Sequence, residues 1–211
     1  MTRVKICGIT NIEDAIAAIE AGADALGFVF AESPRQVDGM TALAIVRELP
    51  GDVATIGVFA NQSFDEIIPV MELVGLHFAQ IHGDLVRPVS RPAGRMPWGL
   101  IRALRVKSAD DIRSAGDDEF LGISDAVVLD AQVDGMMGGT GQTFDWDLAI
   151  EAQSLRKPII LAGGLSPANV AEAIRKVHPY TVDVSSGVEA SPGKKDHDKI
   201  REFIRNAREA I

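Results

Sequence analysis

The segment Val4-Lys5-Ile6-Cys7-Gly8, followed by a helical pattern over Asn11 to Ala21, is the first of a series of similar units. Its apolar run has the length of a strand, and Gly8 is typical of the turn that ends one. Runs of this kind recur at Ala25 to Phe30, Ala54 to Phe59, Phe78 to Ile81, Leu100 to Val106, Ala126 to Leu129, Pro158 to Leu161 and Thr181 to Val184. Several are apolar almost throughout, which indicates strands that are covered on both faces.

Helical patterns lie between most of these strands. After Asn11 to Ala21 they are Thr41 to Leu49, Phe64 to Val74, Ala109 to Ser114, Trp146 to Leu155, Pro167 to Val177 and a last helix from about Asp196 to the end. Residues typical of helix starts accompany four of them: Asn11 with Asp14, Thr41, Ser63 with Glu66, and Ser166 with Pro167. A unit of one strand and one helix is therefore repeated about eight times.

This alternation predicts an α/β fold with parallel strands and crossover helices, either closed as a barrel or open as a doubly wound sheet. Eight units in 211 residues favour a single (β/α)8 TIM barrel, and we expect one domain over residues 1–211. Between Asp84 and Pro97, prolines at 88, 92 and 97 disfavour a regular helix. We therefore expect the fourth helix to be short or missing.

The composition restricts partners and compartment. A net charge of −9 disfavours a nucleic-acid-binding surface, which needs a clustered basic face. We expect neither a signal peptide nor a membrane span, because no suitable apolar run occurs. Cys7 is the only cysteine and cannot form an internal disulfide, which favours the cytoplasm. The four histidines lack metal-ligand spacing, so we infer no zinc site.

Polar residues follow most of the predicted strands. In a barrel the loops after the strands share one face, so these residues are expected to meet there. They are Cys7, Ser33-Pro34-Arg35, His82-Gly83-Asp84, Asp130, Gly138-Gly139-Thr140-Gly141, Gly163-Gly164 and Ser185-Ser186-Gly187. The last three segments together predict a phosphate site, because glycines let backbone N–H groups approach an anion and a helix start adds its dipole.

Each of the other candidates has a structural and a functional interpretation. A lone buried cysteine such as Cys7 is either a packing residue or a catalytic group. Asp130 either caps a turn or, if burial raises its pKa, donates a proton. Arg35 is either solvated or a bidentate clamp on a carboxylate, and His82 is either a core histidine or part of the site. Asp183, which lies between two valines, needs a partner if it is buried.

Read together, several blocks of the chain resemble the phosphoribosylanthranilate isomerases of tryptophan biosynthesis. In the first half these are Lys5-Ile6-Cys7-Gly8-Ile9-Thr10, Gly27-Phe28-Val29-Phe30 with Ser33-Pro34-Arg35, and Gln80-Ile81-His82-Gly83-Asp84. In the second half they are Leu129-Asp130, Gly138-Gly139-Thr140-Gly141 with Phe144-Asp145-Trp146, Leu161-Ala162-Gly163-Gly164-Leu165, and Asp183-Val184-Ser185-Ser186-Gly187-Val188-Glu189. The blocks match in order and cover essentially the whole chain.

The resemblance implies a (β/α)8 barrel that isomerises N-(5-phosphoribosyl)anthranilate to the 1-deoxyribulose 5-phosphate without a cofactor. It implies Asp130 as the general acid and Cys7 as the general base. Arg35 would hold the anthranilate carboxylate, the three glycine-serine segments would hold the phosphate, and His82 would line the site. The expected partner is this phosphorylated sugar-anthranilate alone, and both a monomer and a homodimer stay open.

The sequence leaves two questions: how Cys7 could ionise, and whether another kind of barrel protein fits the same residues. A thiol at Cys7 needs a positive neighbour or oriented dipoles to ionise near neutrality. The substrate's developing iminium ion is one source of charge, and Lys5 is the other if, as strand alternation predicts, it faces the same way as Cys7. Related sugar-phosphate isomerases of the histidine pathway, and those serving both pathways, have an aspartate in place of Cys7. A noncatalytic phosphosugar-binding barrel would need neither Cys7 nor Asp130. Cys7 favours a phosphoribosylanthranilate isomerase over the related isomerases, and Cys7 together with Asp130 favours an enzyme over a binding protein.

Overall fold

Eight parallel strands close into a barrel in the computed structural model, which describes residues 1–83, 96–130 and 145–210. The strands are β1 (Arg3–Cys7), β2 (Ala25–Val29), β3 (Ala54–Ala60), β4 (Phe78–His82), β5 (Gly99–Arg105), β6 (Ala126–Asp130), β7 (Ile159–Leu161) and β8 (Thr181–Val184). Each strand pairs with the next, and β8 pairs with β1 through Lys5 and Asp183 among others. The predicted (β/α)8 barrel is confirmed.

The helices lie between the strands as the alternation predicts. They are α1 (Ile12–Glu20), α2 (Gly39–Arg47), α3 (Phe64–Val74), α4 (Ala109–Ala115), α5 (Glu119–Ile123), α6 (Trp146–Glu151), α7 (Val170–Val177) and α8 (His197–Arg208). The predicted fourth helix, between β4 and β5, falls on residues that lie largely outside the described ranges. Within those ranges, no helix is long and apolar enough to cross a membrane.

Side-chain caps decide where several helices begin. The Asn11 side chain accepts the backbone N–H of Asp14, and Ser63 with Glu66 forms a capping box, so these two predicted starts are confirmed. The start at Thr41 is wrong. Asp38 is the N-cap of α2 and accepts the Thr41 N–H at 2.7 Å, because a carboxylate three residues upstream satisfies that free donor.

The start of α7 at Ser166 and Pro167 is also wrong. The regular helix begins at Val170, and the turn before it is closed by Asn169, whose Oδ1 accepts the Ser166 N–H at 2.8 Å. The pattern also missed two short elements, helix α5 and an antiparallel hairpin of β9 (Glu189–Ser191) and β10 (Lys194–Lys195). Both are too short to show a clear hydrophobic period.

Alternate residues of the barrel strands face opposite sides. Residues such as Val4, Ile6, Leu26 and Phe28 point outward and pack against helix residues in the main core. A separate apolar interior cluster fills part of the barrel and consists of Ala25, Ile56, Ile101, Ala103, Ala126, Val128, Ile160 and Ala162. The barrel is thus a packed core, and polar chemistry has to be placed among the remaining inward-facing positions.

Candidate active site

The carboxyl ends of the strands bring the predicted site residues to one mouth of the barrel. Cys7, His82 and Asp130 are the last residues of β1, β4 and β6. Arg35 lies in the loop after β2, Gly163-Gly164 follows β7, and Ser185-Ser186-Gly187 follows β8. Gly139, Thr140 and Gly141 lie outside the described residues, as do Gly138 and Asp84.

Beneath the mouth, polar side chains form a continuous hydrogen-bonded row. The Lys5 ammonium, which has no solvent exposure, donates to Asp183 Oδ2 at 2.6 Å and to Gln80 Oε1 at 2.7 Å. Gln80 in turn lies 2.8 Å from His82, measured between the two Nε2 atoms. We call Asp183, Lys5, Gln80 and His82 the polar interior chain. Asp183 therefore has a charged partner at Oδ2, whereas its buried Oδ1 has no hydrogen-bond partner among the described residues.

The polar interior chain fixes the protonation pattern of His82. An ammonium can only donate, so Lys5 holds the amide oxygen of Gln80 and turns its NH₂ group toward His82. Burial, aided by the charges of Lys5, Arg105 and Arg102, lowers the pKa of His82 to about 4, so the ring is neutral near pH 7. Its Nε2 must then accept from Gln80, which leaves Nδ1–H as the donor that His82 can offer a ligand.

Cys7 lies beside Lys5 in a space that a glycine provides. Gly27 is its register partner on β2, and a Cβ atom at that position would lie 2.8 Å from Cys7 Sγ and 3.1 Å from Lys5 Cε. Burial raises the pKa of the Cys7 thiol, and Asp183 adds to this effect while Lys5 and Lys195 oppose it. The resting residue is therefore a thiol, and further positive charge is needed before it ionises.

Asp130 also holds its proton more tightly than an exposed aspartate. Burial raises the pKa of its carboxyl group and the charge of Asp183 acts in the same direction, against smaller opposing effects of Arg105 and Lys5. The mouth thus presents a thiol and a carboxyl group whose environments both favour the protonated form. An acid with this property can donate a proton at a higher pH than an exposed carboxyl group.

Arg35 crosses the end of β1 next to Cys7. Gly8 has a φ of +77°, and a Cβ atom there would lie 2.7 Å from Arg35 Cδ, so only glycine allows the arginine stem to pass. The guanidinium group donates to Glu189 twice, from Nε to Oε1 and from Nη2 to Oε2, each at 2.7 Å. The side chain is 23% exposed, so part of it remains accessible to solvent.

The loops after β7 and β8 pack against each other. Gly187 approaches the Leu165 carbonyl so closely that a Cβ atom would lie 2.0 Å from its oxygen. Gly163 and Gly164 have φ values of +80° and +66°, conformations that favour glycine. Ser185 Oγ is buried and has no hydrogen-bond partner among the described residues. Two of the three segments predicted to hold phosphate are therefore adjacent.

Metal chemistry has no evident ligand set here. In the parts of the chain that the structure describes, no group of three or more His, Cys, Asp or Glu side chains could hold a metal ion. The groups at the mouth are instead proton donors, proton acceptors and cations. Such a set can move protons on an anionic substrate.

Comparison with known proteins agrees with this chemistry. Residues 4–206 match the family model described as N-(5'phosphoribosyl)anthranilate (PRA) isomerase. The chain belongs to this family. An N-(5'-phosphoribosyl)anthranilate isomerase of Pseudomonas fluorescens strain Pf0-1 is 52% identical over 207 residues, which are 98% of each chain.

Solved structures of family members share the same barrel. The phosphoribosyl anthranilate isomerase of Thermotoga maritima is 42% identical and superposes with a TM-score of 0.88, covering 99% of this chain and 100% of that one. A second structure, of a phosphoribosyl anthranilate isomerase in complex with reduced 1-(o-carboxyphenylamino)-1-deoxyribulose 5-phosphate, is 41% identical with a TM-score of 0.83 over 99% and 100% of the two chains.

In this member of the phosphoribosylanthranilate isomerase family, three polar residues of the site received no role from the sequence. Gln80 and Glu189 lie inside the blocks that carry the resemblance, and their burial among cations was not visible there. Lys195 is 3% exposed in the hairpin after β8 and donates to Glu189 Oε1 at 3.1 Å. A lysine beside a glycine turn is usually solvated, so no sequence signal singled it out.

Proposed function

We propose that the chain converts N-(5'-phosphoribosyl)anthranilate to 1-(2-carboxyphenylamino)-1-deoxyribulose 5-phosphate, as one catalytic domain in the cytoplasm, within tryptophan biosynthesis. The observation that carries the proposal is the pair Cys7 and Asp130. They end β1 and β6 at the same mouth, each in an environment that retains its proton. Family membership supplies the reaction, and this pair supplies an acid and a base for it.

Ring opening is the first step. Asp130 gives its proton to the furanose ring oxygen, the bond from that oxygen to C1 breaks, and the nitrogen lone pair forms a C1=N double bond. The product is an open-chain iminium ion, and Asp130 is left as a carboxylate. The raised pKa of Asp130 favours this step because the carboxyl group still holds a proton to donate.

Proton removal from C2 is the second step. Cys7 first loses its own proton to solvent; the thiolate then takes the C2 proton, and the C–H electron pair forms a C1=C2 bond while the C1=N pair returns to nitrogen. The resulting enolamine takes a proton from solvent at C1 and gives its enol proton to solvent, which yields the ketone, and Asp130 recovers its proton from solvent. Burial raises the pKa of Cys7, so the thiolate depends on the Lys5 ammonium and on the positive charge of the iminium ion.

The remaining residues at the mouth suit the three ends of the substrate. Arg35 supplies a guanidinium group for the anthranilate carboxylate. Gly163, Gly164, Ser185, Ser186 and Gly187 supply backbone donors and hydroxyl groups for the phosphate, and we extend this assignment to residues 139–141. His82 supplies its Nδ1–H for a hydroxyl oxygen of the sugar. All of these assignments are proposals for this chain.

Fluorescence decay of freshly prepared phosphoribosylanthranilate tests the proposal. We expect the wild type to turn over and Cys7→Ser and Asp130→Asn each to lose roughly 10²–10⁴-fold in kcat, since each removes one proton-transfer group. Both variants should still bind the reduced product analogue. Asp52→Asn, at an exposed position before β3, is the matched control and should keep full activity. A wild type that binds the analogue without turnover would show a binding protein instead.

A further inference from the structure

Glu189 lies between two cations at the edge of the mouth. Its carboxylate accepts Arg35 Nε and Nη2 at 2.7 Å each, Lys195 Nζ at 3.1 Å and, more weakly, the Gly193 N–H at 3.4 Å. Its side chain is only 5% exposed. Burial opposes its ionisation, but the hydrogen bonds from Arg35 and the charge of Lys195 outweigh burial, and the pKa of Glu189 falls below its usual value. It is a carboxylate at neutral pH.

The pairing uses one edge of the Arg35 guanidinium group and leaves another open. A guanidinium group has five N–H donors in a fixed plane. Nε–H and the Nη2–H beside it point at Glu189. Nη1 has no hydrogen-bond partner among the described residues, so the edge formed by Nη1 and the second Nη2–H is available. That edge has the parallel donor spacing that a second carboxylate accepts in bidentate form.

The direction of the open edge is fixed at both ends of the side chain. The Arg35 backbone N–H donates to Ser33 Oγ at 3.1 Å, and the arginine stem passes over Gly8, the residue after Cys7. Glu189 then removes the rotational freedom of the guanidinium group. A long flexible side chain would otherwise lose more entropy on binding.

We propose that Glu189 is a positioning residue that aims the open edge of Arg35 at the carboxylate on the substrate's aromatic ring. The inference rests on the proposed function and deepens it by assigning substrate selectivity to a residue that need not touch the substrate. Glu189 acts through Arg35, and its contribution is specific to ligands that carry the ring carboxylate.

Lys195 adds a second positive charge beside Arg35 and Glu189. Arg35 and Glu189 alone would be a neutral pair and would attract an anion weakly. Lys195 is buried beside them and also donates to the Ser185 carbonyl at 3.2 Å. Its ammonium group gives the cluster of Arg35, Glu189 and Lys195 a net charge of +1. Glu189 can thus orient the arginine while the cluster stays attractive to a carboxylate.

The test compares two ligands. One is the reduced product analogue with the ring carboxylate, and the other is the same molecule with an unsubstituted phenyl ring. We expect Glu189→Gln to weaken binding of the first roughly tenfold or more, as for loss of a charged hydrogen bond, and of the second less than about twofold. In an Arg35→Met background, Glu189→Gln should have no further effect on either ligand. Glu202→Gln, at an exposed position of α8, is the control.

Equal weakening of both ligands by Glu189→Gln would overturn the inference, because it would show that Glu189 only holds the mouth together. So would an undiminished effect in the Arg35→Met background. If Glu189→Gln does not fold, Glu189→Asp keeps the charge but shortens the reach to Arg35, and the same selective loss is expected. Wild-type turnover is measured first, so absence of turnover reports on the proposed function and not on Glu189.

Discussion

Two contrasting sets of side chains fill the barrel interior, and different strands supply them. The apolar interior cluster comes from β2, β3, β5, β6 and the end of β7, whereas the polar interior chain comes from β1, β4 and β8. The apolar interior cluster consists of alanine, valine and isoleucine, and its side chains need no partner. The polar interior chain buries a lysine with no solvent exposure and an aspartate that is 7% exposed, and one ion pair and a glutamine hold them. The apolar cluster stabilises the fold through burial, whereas the polar chain costs desolvation energy. Under the proposed function, the polar chain supports the chemistry above it.

The largest expected effect comes from breaking the polar interior chain at its centre. Lys5→Met leaves Asp183 buried without its counter-ion, and we expect a loss of about 3–5 kcal/mol in the free energy of unfolding. Urea denaturation measures this loss. Lys176→Met, which removes an exposed ion pair with Asp147, is the control and should cost at most about 1 kcal/mol.

A double variant separates stability from function at the same position. Lys5→Met with Asp183→Leu removes both buried charges, so part of the lost unfolding energy should return while the isomerase rate stays low. A double variant with wild-type activity would contradict the comparison, since the polar chain would then be dispensable for catalysis.

A methyl group at position 27 tests the space between the polar chain and the thiol. Gly27→Ala places Cβ 2.8 Å from Cys7 Sγ, so Cys7 must move. We expect about 1–3 kcal/mol of destabilisation from overpacking and a fall in kcat/KM of roughly 100-fold, as for a displacement of about 1 Å. Gly51→Ala, where a Cβ atom would meet nothing within 4 Å, should leave kcat/KM unchanged. Full activity in Gly27→Ala would show that the thiol position is not critical.

The apolar interior cluster should respond in stability alone. Ile160→Val removes one buried methyl group and is expected to cost about 0.5–1.5 kcal/mol in the free energy of unfolding. The kcat/KM value should stay within about twofold of the wild type, because no polar contact changes. A large loss of kcat/KM with unchanged stability would show that Ile160 affects catalysis, and the contrast between the two sets of side chains would fail.

Asp130→Asn should raise stability near neutral pH. An aspartate whose pKa is raised on folding binds its proton more tightly in the folded state, so its presence destabilises the fold increasingly as pH rises above the unfolded value of about 3.9. Asparagine removes this dependence. Urea denaturation at a series of pH values should show the variant gaining on the wild type as pH rises. An advantage that shrinks with rising pH would mean that the pKa of Asp130 is lowered.

The smallest effect is the titration of the Cys7 thiol in the wild-type protein, with Cys7→Ser as the blank. Cys7 is the only cysteine, so the thiolate absorbance near 240 nm reports on it alone once the signal of Cys7→Ser is subtracted. Because burial raises the pKa of Cys7, the absorbance should rise with a midpoint above the usual value of about 8.5. A midpoint below that value would mean that Lys5 outweighs burial.

The sequence predicted the barrel and the residues at its mouth because both depend on local patterns. Apolar runs with covered faces marked the strands, and their carboxyl ends marked Cys7, His82 and Asp130. Helix starts were less predictable. Thr41 and Ser166 are good capping residues, but Asp38 and Asn169 make the bonds that close those turns.

The polar interior chain was only partly visible in the sequence. The alternation of β1 suggested that Lys5 faces the same way as Cys7, and the structure places both beside Gly27. Its bond to Asp183 could not be predicted, since 178 residues separate them and only barrel closure makes β1 and β8 neighbours. Glu189 and Lys195 were missed for the same reason. Glu189 accepts from Arg35, which lies in a loop distant in sequence, and Lys195 donates to Glu189.

The burial of Cys7 also bears on chemical damage. Peroxide and other oxidants attack thiolates much faster than thiols, and a lone cysteine that becomes oxidised has no neighbouring thiol to form a disulfide that could be reduced again. The environment that raises the pKa of the Cys7 thiol therefore also keeps it in the form that oxidants attack slowly. In the mechanism proposed above, Cys7 becomes a thiolate only when the iminium ion lies beside it, so it spends little time in the form that oxidants attack fastest.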